Sequence, residues 1–233
     1  MRIAYLIAAL GLVGCGDDGG STTVDSPIVP TTLTVTGTTY DVAISGRTPV
    51  GGVTVEAYQE GGSTPVAMTT SAADGTYTLT ITTNGEALDG YLLGKLAGKK
   101  DTYLYPPGAL SADISGATVL MLSQQIFDAS FSLAQVTADS SKGWIGVQVY
   151  DGAMTGVGGV TVSTQPSGTV RYNGSGGLPA GASQTTTMSD GIAYVFNVGP
   201  GDVTLSASGG GLTFESHRVN ARAGQVTTTL ITP

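Results

Sequence analysis

The octet Thr48-Pro49-Val50-Gly51-Gly52-Val53-Thr54-Val55 returns 107 residues later as Thr155-Gly156-Val157-Gly158-Gly159-Val160-Thr161-Val162, changed at one position. A period that long is a duplicated domain, because stacked solenoid repeats run about 20 to 50 residues. The preceding strand keeps the same offset, with Val42 matched to Val149. Downstream, an Asp-Gly turn recurs as Asp74-Gly75 with Tyr77 and as Asp190-Gly191 with Tyr194. Whatever fold one unit adopts, the chain has to build it twice.

Alternation says what that fold is made of. Val53, Val55 and Ala57 point one way and Thr54 and Glu56 the other; Tyr77, Leu79 and Ile81 alternate with Thr76, Thr78, Thr80 and Thr82. This is the period of half-buried antiparallel strands. In the first strand the apolar set changes parity, from Leu33 and Val35 to Tyr40, Val42 and Ile44, which predicts a bulge at Gly37. Strands are expected near 32–45, 52–59, 65–71, 75–83, 90–97, 101–106 and 117–123 in the first unit. In the second they are expected near 143–151, 159–165, 169–173, 184–189, 192–198, 202–208, 212–221 and 225–232. Short strands with frequent turns describe a sandwich. Between the units, Ile126, Phe127, Ser130, Phe131 and Ala134 recur at helical spacing and predict one short helix docked by Phe127 and Phe131. The expected fold class is all-β: two tandem seven-stranded sandwiches, residues 32–123 and 141–233, joined by a helical connector at 124–140.

Charge excludes one large class of partner. Nine Lys and Arg against seventeen Asp and Glu give a formal net charge of −8, so no basic face can neutralise a nucleic-acid backbone. Lys95, Lys99 and Lys100 read as a solvated hairpin tip.

The single cysteine, Cys15, stands after Arg2 and the apolar run Ile3 to Val13, at the end of Leu12-Val13-Gly14-Cys15. A run this short falls below the roughly 20 residues a membrane-crossing helix needs. It resembles a bacterial lipoprotein signal with its lipobox, with residues 1–14 as signal peptide and 15–31 as a flexible Gly, Ser, Thr, Asp and Pro tether. The resemblance implies a diacylglyceryl group on the Cys15 sulfur and a third acyl chain on the new amino terminus. Two or more chains anchor stably. Cleavage removes Arg2 and no acid, taking the charge from −8 to −9, and leaves no thiol for a disulfide. Gly16 occupies the place where enterobacterial lipoproteins kept at the inner membrane carry aspartate, so the expected address is the outer membrane or cell surface of a Gram-negative envelope.

Pro-Val-Gly-Gly-Val-Thr-Val followed by Thr70-x-x-x-Asp74-Gly75-x-Tyr77 resembles the carboxypeptidase regulatory-like domain, a Greek-key, transthyretin-like (prealbumin-like) sandwich. Met188 to Tyr194 fits it more loosely, with one extra residue before the tyrosine. These motif residues account for turns and name no substrate. A ring-hydrolysing member of the wider group uses several histidines and a C-terminal Tyr-Arg-Gly-Ser. This chain has one histidine and ends Leu230-Ile231-Thr232-Pro233, so that activity does not carry over. Related surface domains form Lys-Asn isopeptide crosslinks; only Lys142 and Asn220 of the second unit stand near comparable places.

Any histidine-based triad would have to use His217, and no Gly-x-Ser-x-Gly elbow accompanies it. One histidine and scattered carboxylates make no ordinary zinc site. Asp74, Asp190 and the pair Asp17-Asp18 could feed a calcium site, but turn geometry already explains Asp before Gly. No catalytic, cofactor or metal residue is assigned. Tyr103 and Tyr105 share a strand face, with Tyr91 on a neighbouring strand and Trp144 at the start of the second unit, and are the possible ligand-facing residues. The expectation is a lipid-anchored, non-enzymatic binding or scaffold module whose partner is an envelope protein or a polysaccharide. The alternatives are a carbohydrate-binding or accessory subunit of an envelope peptidase or glycan-processing complex, and a hydrolase based on His217.

Overall fold

A computed structural model describes residues 29–175 and 177–233. The signal peptide, Cys15 and all but the last three residues of the expected tether lie outside the described residues. The first half contains β1 (Thr32–Ala43), β2 (Gly46–Pro49), β3 (Thr54–Gln59), β4 (Ala67–Thr70), β5 (Thr76–Thr82), β6 (Gly90–Lys95), β7 (Thr102–Tyr105) and β8 (Ile114–Met121). Helix α1 (Gln124–Leu133) follows. The second half contains β9 (Gly143–Val149), β10 (Val160–Gln165), β11 (Thr169–Tyr172), β12 (Ile192–Val198), β13 (Gly201–Gly209), β14 (Leu212–Thr213), β15 (His217–Ala221) and β16 (Val226–Ile231). The chain is all-β with one short helix.

Each half has a small sheet of its own. In the first, β1 pairs with β8 on one side and with β5 and β2 on the other. In the second, β13 pairs with β10 on one side and with β14 and β15 on the other. The remaining strands do not form two more sheets. They join into one of eight strands in the order β11-β12-β9-β16-β7-β6-β3-β4, sealed where β16 runs parallel to β7. Alternation alone led to antiparallel expectations, yet β1 with β8 and β16 with both β9 and β7 are parallel pairs. Parallel neighbours need long crossovers, and a twice-built domain supplies them.

Parity at that seam decides where the cores sit. Leu104 packs against the first core, with Val53, Val55, Leu79, Ile81, Val119 and Met121. Its neighbour Tyr105 belongs to the second, with Ile145, Val147, Val195, Leu205, Val219 and Ile231. Successive residues of a strand face opposite sides, so the two small sheets cover opposite faces of the shared sheet. A third cluster places Phe127 and Phe131 of α1 on Trp144, Phe196 and Val226 of the second half. Ser123 caps α1, its Oγ accepting from Ile126 N at 3.3 Å. At ten residues the helix is too short to hold itself, and burying two phenylalanines at about 1.5–3 kcal/mol each supplies the difference.

The duplication is legible atom by atom. Ser71 N donates to Val53 O and Gly52 N to Ser71 O; Thr187 N donates to Val160 O and Gly159 N to Thr187 O. The Ser71 hydroxyl accepts from Val53 N and donates to Val50 O, as the Thr187 hydroxyl does with Val160 N and Val157 O. The same bonds correct the matching of the first strands. Thr39 N donates to Gly75 O and Val50 N to Thr39 O, while Val149 N donates to Gly191 O and Val157 N to Val149 O. Thr39, and not Val42, is the counterpart of Val149. The first half holds three more residues here, which lengthen β1 and pair it with β2, a strand sequence reading missed.

Parity in β1 does not change. Leu33, Val35 and Thr39 are all buried, and Ile44 is 54% exposed. Val42 looked inward only because the opposite face is covered too, by the α1 cluster. The bulge lies in β8 instead, where Val35 to Gly37 of β1 spans Ile114 to Ala117 and Gly116 has φ 77°. Gly37 serves a different purpose. A Cβ there would stand 1.8 Å from Ala117 O and 2.7 Å from Tyr77 Oη, which donates to that carbonyl at 2.9 Å. Residues 184–189 form no strand and contribute the Thr187 clamp, and the expected 212–221 strand breaks into β14 and β15.

Candidate functional site

Most outward sheet faces are hydroxyl-rich. Thr76, Thr78, Thr80 and Thr82 line β5, and Asp202, Thr204, Ser206 and Ser208 line β13, all exposed. Two faces of the shared sheet are aromatic. In the second half Trp144, Tyr194 and Phe196 point away from their own core, and α1 covers them. In the first half the corresponding face belongs to β3, β6 and β7. Val55, Ala57 and Leu92 turn into the core, which leaves Glu56, Tyr58, Tyr91, Leu93, Lys95, Tyr103 and Tyr105 on the other side.

Strand register sets these side chains in rows, with Tyr58 opposite Tyr91, and Leu93 opposite both Glu56 and Tyr103. The Tyr58 and Tyr91 rings stack at 5.4 Å and 12°, and Tyr91 lies 5.7 Å from Tyr103 and 5.1 Å from Tyr105. Arg222, from the turn between β15 and β16, closes one end. Its guanidinium sits 3.8 Å from the centre of the Tyr103 ring and 4.6 Å from that of Tyr91. It also donates to Tyr105 Oη at 3.3 Å and to Asn220 O at 2.9 Å. Such stacking of cation on ring contributes about 0.5–2 kcal/mol, more as water is excluded.

Electrostatics at this face are mostly settled internally. Glu56 Oε2 accepts from Lys95 Nζ at 2.8 Å and from Tyr58 Oη at 2.9 Å. Desolvation alone would raise the Glu56 pKa, but these bonds outweigh it and hold the carboxyl below its ordinary value; the bond to Glu56 raises that of Lys95. Burial pushes the Tyr105 phenol well above its usual range, with Arg222 drawing it part of the way back.

The structure divides the expected tyrosines. Tyr105 is 4% exposed and faces Arg222, while Tyr103 is half-buried beneath it with Tyr91 alongside. Trp144 lies on the opposite face of the sheet under α1, stacked on Tyr194 at 5.8 Å. Sequence reading missed Tyr58 and Arg222. Outward parity in β3 could have supplied Tyr58, but Arg222 reaches the face only because β16 pairs with β7.

His217 is 8% exposed, turned inward on β15, with Pro107 and Asp89 of the first half nearby. Burial lowers its pKa, and Nε2 has no partner. A base so enclosed cannot meet a substrate. Asp74 Oδ1 accepts from Thr76 N and Oγ1, and Asp190 from Asn173 Nδ2 and Ile192 N, which is turn chemistry. Among the described residues no group of three or more His, Cys, Asp or Glu is gathered that could hold a metal. Lys95 pairs with Glu56, Lys99 with Asp41, and Lys100 lies 4.8 Å from the centre of the Phe127 ring, so the three lysines form no common anion site. Asn220 Nδ2 donates to Asp202 at 3.3 Å on an exposed face.

No family model matches the chain, and no curated protein does. Solved structures superpose loosely over most of it. The shaft pilin SpaA from Lactobacillus rhamnosus GG is 13% identical over 87% of this chain and 98% of its own, at a TM-score of 0.27. GBS52, the minor pilin of Streptococcus agalactiae, is 13% identical over 86% of this chain and 94% of its own, at 0.28. A streptococcal ancillary pilin is 15% identical over 87% and 62%, at 0.25. At such scores the likeness carries no argument about function.

Proposed function

We propose that this chain is a lipid-anchored, non-enzymatic module of the bacterial envelope, a scaffold that presents a rigid two-part β-body to a partner protein. The observation that supports it is the unbroken eight-stranded sheet shared by both halves. A binding protein on a hinge needs a linker, whereas here β16 is hydrogen-bonded to strands of both halves and Arg222 clamps the seam. Two modules fused this way hold their faces at a fixed distance and angle, which serves display rather than turnover. Cys15 provides the attachment, through acyl chains that insert in the outer membrane or cell surface.

Metabolic labelling with a palmitate analogue and membrane fractionation test the anchor. The native chain carries label and sediments with membranes; a Cys15→Ser variant takes up no label and is recovered soluble and folded. Label-free native protein, or a Cys15→Ser variant that stays with the membrane after signal cleavage, overturns the reading.

A further inference from the structure

The chain has four asparagines, and only Asn84 and Asn173 are followed by glycine. Asparagine is thermally labile, because the backbone nitrogen of the next residue can attack its carboxamide, and a glycine there has no Cβ to crowd the approach. The fold decides where that attack is possible. Asn173 is 1% exposed, with Nδ2 donating to Asp190 Oδ2 at 2.7 Å and Oδ1 accepting from Tyr194 Oη at 2.8 Å. The nitrogen that would attack it, Gly174 N, donates to Leu178 O at 2.9 Å. Asn197 and Asn220 also spend their carboxamides, on Thr137 O and on Asp202, and are followed by valine and alanine. Asn84 has none of these restraints. It is exposed in the loop between β5 and β6, at φ 54° with Gly85 after it at φ 86°, and among the described residues its carboxamide has no partner. Gly85 N makes only a long bond, 3.3 Å to Thr83 Oγ1.

We infer that Asn84 is a site of spontaneous modification, at which the carboxamide becomes a carboxylate by cyclising onto Gly85. Gly85 N loses its proton and bonds to Asn84 Cγ; the Cγ–Nδ2 bond breaks, ammonia leaves with a proton taken up in exchange, and a succinimide ring is closed. Water then opens the ring at either carbonyl. One opening gives aspartate in an ordinary backbone, and the other gives isoaspartate, whose side-chain carbon has entered the main chain. The step needs water and no oxidant, reductant or enzyme. Its position gives it a consequence. Thr83 N donates to Thr31 O at 2.9 Å, and the Thr83 hydroxyl donates to Pro30 O while accepting from Gly85 N. Those bonds pin the residues that lead into β1. Cyclisation removes the Gly85 N–H and with it the bond to Thr83, and isoaspartate then lengthens the main chain beside the pin. The new carboxylate also stands close in sequence to exposed Glu86, where like charges repel. The loop thus ages at the point where the chain enters the first half, while the buried Asn173 keeps its bonds.

The test is incubation of the full chain, in detergent and mildly alkaline buffer, followed by peptide mapping with fragmentation that separates aspartate from isoaspartate. In the folded chain Asn84 should convert to a mixture of the two at least about tenfold faster than Asn173, where attack must first break bonds already made. In urea the two should convert at similar rates. Amide exchange at Thr83 should be faster in the aged chain than in the fresh one. An Asn84→Gly variant keeps a residue that tolerates positive φ and has no carboxamide, so its ageing should leave Thr83 exchange unchanged. Asn84 that stays intact in the folded chain while it reacts in urea, Asn173 that keeps pace with it in the folded chain, or Thr83 exchange that does not respond to conversion would each overturn the inference.

Discussion

The aromatic face over Trp144 and that over Tyr91 are built from the same kind of strand register, yet a helix covers one while Arg222 and the second half's core cover much of the other. On the helix-covered face phenylalanine and tryptophan dominate, and α1 buries Phe127 and Phe131 to 6% and 4% exposure. On the other face every ring is a tyrosine, and two of the hydroxyls have side-chain partners, Tyr58 Oη donating to Glu56 and Tyr105 Oη accepting from Arg222. The chemistry of the rings thus follows what covers them. An apolar helix roof accepts hydroxyl-free rings, and a polar rim gives phenols their partners.

The sharpest way to break the comparison is to remove the helix roof. Phe131→Ala should cost about 3–5 kcal/mol in urea unfolding, the range for a large buried aromatic. A loss under 1 kcal/mol would mean that α1 is ornamental. Arg222→Ala acts at the rim of the tyrosine face, where it forfeits stacking and hydrogen bonds of about 1–2 kcal/mol. It should also loosen the seam, seen as faster amide exchange in β7 and β16. A third effect depends on pH. His217 is buried at the same seam with its pKa lowered by desolvation, so the unfolded chain takes up the proton more readily than the folded one. Stability should hold above the ordinary histidine value near 6.5, then fall as pH drops through it, and level off below the depressed folded value. Urea midpoints at several pH values check this, and a His217→Leu variant should lose that part of the acid slope. Smallest of all, Met68→Thr on the exposed margin opposite Glu56 should move stability by no more than about 0.5 kcal/mol. If it destabilised the chain like Phe131→Ala, that margin would be core.

Much of this could be read from residue order. Threonine alternation in β5, the capping serine ahead of α1 and the repeated Gly-Gly-Val turn each leave a local signature, and the strands stand close to where periodicity places them. What escaped detection depends on a second surface. Val42 mimicked a core residue because a helix from elsewhere in the chain covers it, and Gly37 looked like a bulge because the phenol it accommodates comes from Tyr77, forty positions away. Alternation reports that a face is covered but not by what. The tyrosine face was half visible for the same reason. Tyr103 and Tyr105 share parity, yet which of them meets solvent is decided by Arg222, brought in by a pairing between strands more than a hundred residues apart.

That pairing also sets a timetable. β16 is the last of the sixteen described strands in chain order and the fourth in the spatial order of the shared sheet, between β9 and β7. Until it arrives, both neighbours have a bare edge in the middle of what will become one surface, and the body cannot close from either end. Closure of the shared sheet thus depends on a contact between segments more than a hundred residues apart, the kind of non-local pairing that folds slowly.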